Sequence, residues 1–415
     1  MRERTFRALR HRNFKLFFAG QLVSLVGTWM QTVAQSWLIY RLTQSPWLLG
    51  LAGFAGQGPV FFLATVGGAV ADRRQRRDVL IATQTASMIL AFVLAAITLT
   101  EHVRVWEIYA LAAALGVVNA FDIPTRQSFI VEMVGKEDLG NAIALNSSMF
   151  NGARVLGPSV AGFLVATIGE GWCFVLNGVS FLAVIAGLLA MRVPRRDIPP
   201  LAVHPLAHAA EGFGFVARSG PLRAILVLLA VVSVAGTPFT VLMPVLAQEV
   251  LHGGARALGI LTGASGFGAL LGALMLATRR GVLGLGRWIA VAAGSFGAAL
   301  VLFSLSRSLW LSAVLLVPVG GSLMVQMAAS NTLLQSMAPD ALRGRIIALY
   351  AMTIMGMAPL GALLAGAAAS RIGAPLTVAA GGVASVVAAV LFALRIPSMR
   401  GEVRVLLAES LITKE

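Results

Sequence analysis

One spacing governs what this chain can be: residues recur 204 positions apart, close to half of its 415. Seven glycines lie between Gly140 and Gly178, and six return as Gly344, Gly356, Gly361, Gly366, Gly373 and Gly382. Gly fills 44 of 415 positions, so one match by chance is about a one-in-ten event and six in one register are not accidental. Ile143-Ala144-Leu145 recurs as Ile347-Ala348-Leu349, and Gly68 as Gly272. The chain therefore holds two copies of one structural unit.

Its composition names the solvent. Hydrophobic residues make up 58% and charged residues 12%, against roughly 25% charged in a soluble domain. Twelve apolar stretches are long enough to cross a ~30 Å hydrocarbon core as helices: 14–40, 47–71, 79–100, 106–125, 140–168, 172–192, 222–249, 257–278, 287–306, 309–335, 345–370 and 376–395. Membrane strands would alternate polar and apolar over about ten residues, a pattern that is missing. The expected fold is an all-α membrane protein, with twelve transmembrane helices in two six-helix pseudo-symmetric bundles. Residues 1–192 form the first bundle, 193–221 a Pro- and Arg-rich cytoplasmic linker, 222–395 the second bundle and 396–415 a cytoplasmic tail. Within the linker, Leu206 to Arg218 reads as a short amphipathic helix at the lipid interface.

The net charge of +15 raises nucleic acid as a partner, but the charge is arranged for a membrane. Only Arg41, Arg104, Arg256, Arg307 and Arg371 fall on one side of the predicted spans and Arg154 within one; the other Lys and Arg residues fall on the opposite side. This positive-inside bias places both termini in the cytoplasm, and basic loops there attract anionic lipid heads. The first apolar run is longer than a signal-peptide core and reads as a span. The single cysteine, Cys173, leaves no internal disulfide. The five histidines lie in loops and tails, and His204 with His208 is too sparse a set for a metal; neither metal nor cofactor is expected. Phosphate loops and nucleophile motifs are not evident, so the chain does not read as an enzyme.

Polar residues inside the spans are the candidate site. Gln21, Ser24, Thr28, Gln31 and Gln35 share one face of the first span. That face either lines a wet cavity or hydrogen-bonds to neighbouring helices. Asn119, Asn151, Gln326 and Asn331 are further cavity candidates. Arg154, deep in the fifth span, is costly there and points to a polar interior; it either holds an anionic substrate group or ties helices together. Ala153, Gly157 and Ala161 form a small-residue stripe for helix packing, with Pro158 and Gly162 following. Asp122, near the expected end of the fourth span, is the proton-coupling candidate. Arg126, four residues on, opposes that reading by favouring the charged form, and a permanent Asp122–Arg126 ion pair or gate latch stays open.

The second span ends in Gly67-Gly68-Ala69-Val70-Ala71-Asp72-Arg73-Arg74-Gln75-Arg76-Arg77. Gly68, Asp72, Arg73, Arg76 and Arg77 match the signature between spans two and three of the major facilitator superfamily, with Gln75 in place of its turn glycine. Gly157-Pro158-Ser159-Val160-Ala161-Gly162 is similar to the superfamily's span-five feature. Asn331-Thr332-Leu333-Leu334-Gln335, with Pro339-Asp340 and Arg343-Gly344-Arg345, resembles the branch of siderophore (enterobactin) and macrolide exporters. The resemblance implies that spans one, four, seven and ten line a central cavity and that the loop from Gly68 to Arg77 latches its cytoplasmic gate. It implies a secondary active transporter of the bacterial inner membrane, a likeness that extends to proton-coupled efflux of a small amphiphilic or anionic drug, siderophore or metabolite. The expected partners are the substrate, protons and membrane lipid, with the transporter a monomer. A nutrient importer on the same fold, or a transport-inactive membrane sensor, are the rival readings.

Overall fold

The structure is a computed structural model. It describes residues 6–193, 214–279, 281–282, 284–339 and 342–412. Among these residues it is helical, with no strand. After a short turn, Arg7–Arg10, six long helices follow: α1 (Arg12–Thr43), α2 (Pro46–Arg73), α3 (Arg76–Leu99), α4 (Val105–Gly135), α5 (residues 136–168) and α6 (Glu170–Ala190). The second copy gives α7 (Gly220–Val250), α8 (Gly254–Ala277), α9 (Leu285–Leu305), α10 (Leu309–Met337), α11 (Arg343–Ile372) and α12 (Ala374–Ile412). All but α5 are long and apolar enough to cross a membrane. The polar load of α5, with Asn146, Ser147, Ser148, Asn151 and Arg154, sets it apart.

Three features change or add to the expected layout. The loop expected between residues 125 and 140 is helical: α4 and α5 form one 64-residue run broken only at Gly135. Gly135 has φ 70 and ψ 178, a backbone conformation open essentially to glycine alone. Asp122 consequently lies well inside α4 rather than near its end. The tail from residue 396 is also helical, since α12 continues through Pro397 to Ile412. There Glu402 accepts from Ser219 Oγ (3.0 Å) and Gly220 N–H (3.1 Å), capping the start of α7. Finally, α7 is interrupted by π turns at Val232–Gly236 and Leu246–Val250; such bulges insert one extra residue per turn and re-aim the side chains beyond them. Most of the expected amphipathic linker helix lies outside the described residues, apart from a helical piece at 214–218.

By packing, the chain divides into two compact units. One contains residues Met1–Pro200 with Ala247–Gly263, the other Leu201–Leu246 with Ala264–Glu415. The sequence repeat is visible in each as a repeated contact. Gly169 and Gly373 end α5 and α11 in the same positive-φ conformation, at 88° and 84°. A Cβ on Gly157 would meet α1 at Trp29 and Val26, and one on Gly361 would meet α7 at Val234 and Pro238. Gly116 of α4 sits on the Gly56 carbonyl of α2, and Gly320 of α10 on the Ser265 carbonyl of α8. Among the recurring glycines, Gly157 and Gly361 thus mark the crossing where two backbones approach too closely for a side chain in both copies.

The same frame is filled with different chemistry. Leu80, Thr83, Gln84 and Ser87 are buried on α3, and Ile289, Ala292, Ala293 and Phe296, 209 residues on because the connection into α9 is longer, are buried in the same pattern on α9. At the 204-residue spacing, Asp122 corresponds to Gln326 and Arg126 to Ser330.

Candidate functional site

Arg154 sits where α5 leans on α1. The α1–α5 joint is closed by Leu25, Met149 and Ala153, with Trp29 and Val26 packed against them. This joint requires Gly157, whose Cβ would come within 2.5 Å of Trp29 Cβ. One turn earlier on α5, the Arg154 guanidinium lies over the Trp29 ring, 5.7 Å from its centroid. Phe150 packs edge-on against the same indole, centroids 5.6 Å apart and planes at 73°. Among the described residues Arg154 has no carboxylate partner. A guanidinium carries five N–H donors and cannot shed its charge, so an indole face satisfies only part of what it offers. Arg154 is half-buried and Phe150 43% exposed, so the pair presents a cation beside an aromatic surface. Such a pair suits an anionic group attached to an apolar body. Trp29 and Phe150 are absent from the sequence-level candidates: an aromatic residue in an apolar span carries no mark of its own, and only the fold brings the two onto Arg154.

A second polar cluster joins α3 to α4. Asp122, 3% exposed, accepts from Thr83 Oγ1 (3.0 Å) and Gln84 Nε2 (2.8 Å), and Arg126 lies 3.3 Å from its other oxygen. Every neighbour is a donor, the set a carboxylate accepts. In the other unit, Gln326 and Ser330 are fully buried and their side-chain polar atoms have no hydrogen-bond partner among the described residues.

The remaining candidates separate. Gln31, on the α1 stripe, accepts from Asn177 Nδ2 of α6 at 2.7 Å, and Asn177 in turn meets Ser180. Gln21 and Ser24 are buried, while Thr28 bonds its own helix at the Ser24 carbonyl and Gln35 is half-buried. Asn151 donates to the Ser147 carbonyl, Asn331 accepts from Gln335 Nε2, and Asn119 is half-buried on α4. Gly162 crosses Gly259 within the first unit, its Cβ position 2.7 Å from Gly259 Cα and Pro158 alongside.

The signature loop braces the first unit. Arg76 reaches Glu132 (2.9 Å) and the Ser128 carbonyl (2.8 Å) on α4, and Arg77 donates to the Leu188 and Leu189 carbonyls at the end of α6. Asp72 is largely exposed and lies 3.3 Å from Arg76; Arg73 is exposed. A Cβ on Gly68 would meet nothing, whereas one on Gly67 would strike the Ala120 carbonyl at 1.9 Å, so Gly67 makes the close crossing. Sequence reading also passed over Asp138, on α5 just beyond the Gly135 break. It pairs with Arg7 and accepts from His11 Nε2 at 2.8 Å, while Ala8 N–H donates to Asn141. The His11 hydrogen bond, followed by Arg7, outweighs partial burial and holds the Asp138 carboxyl below the usual range.

Transporters are among the known proteins that this chain is similar to. A family profile described as transmembrane secretion effector matches residues 3–409. The enterobactin exporter of Shigella boydii serotype 4 is 30% identical over 363 residues, covering 86% of this chain and 85% of its own. The staphyloferrin A transporter of Staphylococcus aureus is 22% identical over 381 residues, 91% of this chain and 95% of that one. Among solved structures, a POT family transporter in complex with 5-aminolevulinic acid superposes with a TM-score of 0.75 at 11% identity, covering 94% and 96% of the two chains. The nucleoside transporter NupG superposes with a TM-score of 0.73 at 12% identity, covering 93% and 98%. The chain is a multi-pass membrane transporter and belongs to the transmembrane secretion effector family of the major facilitator superfamily.

Proposed function

We propose that this transporter exports a small anionic amphiphile, of siderophore, drug or metabolite type, from a bacterial cytoplasm through the inner membrane. Both termini are cytoplasmic in this reading, because the basic residues gather on their side. The single observation that carries it is Arg154: a permanent cation in a span, stacked on Trp29, with its N–H fork free of any described carboxylate. A charged side chain within a span is a substrate-pathway residue by default. The siderophore-exporting relatives support the outward direction and the class of cargo.

Transport follows alternating access, the two copies of the repeat exposing a midplane site to one side at a time. A proton gradient supplies the drive, with Asp122 and Arg126 as the coupling pair. Protonating Asp122 would release Arg126 and weaken the Thr83 and Gln84 bonds together, so proton loading and loosening of the α3–α4 joint become one event. Gln21, Thr28, Gln31, Gln35, Asn119, Asn151, Gln326 and Asn331 serve as polar residues of the helices around the pathway, and Asp72 with Arg73, Arg76 and Arg77 as the cytoplasmic latch. The working form is the monomer.

The test offers candidate siderophores and drugs in the medium to inverted vesicles. Accumulation should require Arg154 and stop when the proton gradient is collapsed. Uptake that ignores the gradient would remove proton drive; cargo transport untouched in Arg154→Gln would remove the anion site.

A further inference from the structure

The two copies of the repeat differ at one corner. In the first unit, the beginnings of α1 and α3 and the end of α6 enclose a closed apolar cluster that includes Phe129 and Leu188. Its plug comes from the chain start: Ala8 of the turn Arg7–Arg10 and Phe14 are both fully buried there. Phe129 and Leu188 correspond to Leu333 and Phe392 at the 204-residue spacing. Around Leu333 and Phe392 the corner is a cavity of about 290 Å³, walled also by Pro221, Ile225 and Ile396.

The rim of this cavity is basic. Arg287 opens α9, and Arg400 and Arg404 stand one turn apart on the extension of α12; all three line the cavity and are exposed. Among the described residues none of them pairs with a carboxylate. The nearby acid on α12, Glu402, is occupied by Ser219 and Gly220. An apolar pocket with a cationic rim recognises an anion joined to a hydrocarbon chain. In the orientation proposed above, these helix ends lie at the inner surface of the membrane, where such molecules are the lipids themselves.

We propose that this corner binds an anionic phospholipid, one acyl chain entering between Leu333, Phe392 and Ile396 and the phosphate resting on Arg287, Arg400 and Arg404. Each arginine near an anionic headgroup contributes about fivefold, so the three together give about a hundredfold.

Native mass spectrometry of the full-length protein, purified with equal dioleoyl-phosphatidylglycerol and dioleoyl-phosphatidylcholine, tests the site. The expected result is selective retention of the glycerol lipid, lost about a hundredfold in the triple variant Arg287→Gln, Arg400→Gln, Arg404→Gln. Ile396→Trp fills the cavity with all three charges intact, and should also displace the lipid. Glycerol 3-phosphate carries the same head without a chain and should compete poorly. Equal retention of both lipids, wild-type retention in the triple variant or in Ile396→Trp, or competition by glycerol 3-phosphate as strong as that by the lipid would each overturn the assignment.

Discussion

The Asp122–Arg126 pair yields a quantitative test because the chain carries its own control. At the matching positions of the second copy stand Gln326 and Ser330, on a helix with the same burial register. Transplanting that neutral pair gives Arg126→Ser, Asp122→Gln and the double variant. Arg126→Ser strands a carboxylate whose side chain is 5% exposed, with only Thr83 and Gln84 as donors. Breaking a buried pair from one side costs about 3–5 kcal/mol. Asp122→Gln strands a guanidinium that is 21% exposed, which reaches water more easily, and about 1–3 kcal/mol is expected. The double variant leaves no stranded charge and forfeits mainly hydrogen bonds, about 1–2 kcal/mol. The coupling energy of the cycle is therefore about 3–6 kcal/mol, outside the range of independent sites. Thermal unfolding of the purified proteins, followed by tryptophan fluorescence, should rank wild type highest, then the double variant, then Asp122→Gln, then Arg126→Ser. Efflux by the double variant should ignore a collapsed proton gradient. A double variant as unstable as the sum of the single losses would refute the pairing argument, and one with intact proton dependence would remove Asp122 from coupling.

Gln326→Met should leave the melting temperature unchanged or raise it, because it replaces buried, unbonded amide atoms with an apolar side chain of similar length; a clear loss by fluorescence melting would show a bonded partner. Arg154→Gln should abolish transport of anionic cargo while keeping the fold, and Arg154→Lys should rescue only part of it, since an ammonium lacks the planar fork and stacks poorly on Trp29; vesicle transport assays measure both. Gly157→Leu should destabilise the protein in a melting assay, because even its Cβ would sit 2.5 Å from Trp29. Asp138 has a lowered carboxyl pKa, so its contribution is complete above the ordinary carboxylate range and disappears as pH falls through the depressed value. Acid should therefore release the Arg7–Arg10 turn, Asp138→Asn should release it at neutral pH, and proteolysis at the amino terminus reads out both.

Much of this architecture is legible in the chain because a bilayer leaves few options. Apolar length dictates helices, and the glycine repeat marks the crossings that recur in both copies, such as Gly157 on α1 and Gly361 on α7. What the sequence hides is continuity and pairing. Lys136, Glu137 and Asp138 look like a loop, yet a charged segment can stay helical beyond the hydrocarbon, and only Gly135 breaks the run. Gln31 reads as a cavity residue because its helical face says nothing of what stands opposite; Asn177, 146 residues away, takes its oxygen. Trp29 looks like any aromatic residue of a span until α5 delivers Arg154 to it.

Duplication also permits a subtraction that a single bundle would not. Whatever both copies share is what the fold requires, and the shared set is glycine at crossings, Gly116 and Gly320, Gly157 and Gly361, and at positive-φ helix ends, Gly169 and Gly373. One turn before the shared Gly157 and Gly361, the first copy has Arg154 and the second Ala358; a further turn back stand Phe150 and Ile354. The second copy packs its α11 on α7 with Ala358 at that position, so the crossing itself does not call for a cation there. The same logic applies to Asp122 and Arg126, whose places are filled by neutral Gln326 and Ser330. A charge in a span costs several kcal/mol that packing could avoid. The other copy shows a neutral solution to the same geometry, so packing alone does not call for that cost.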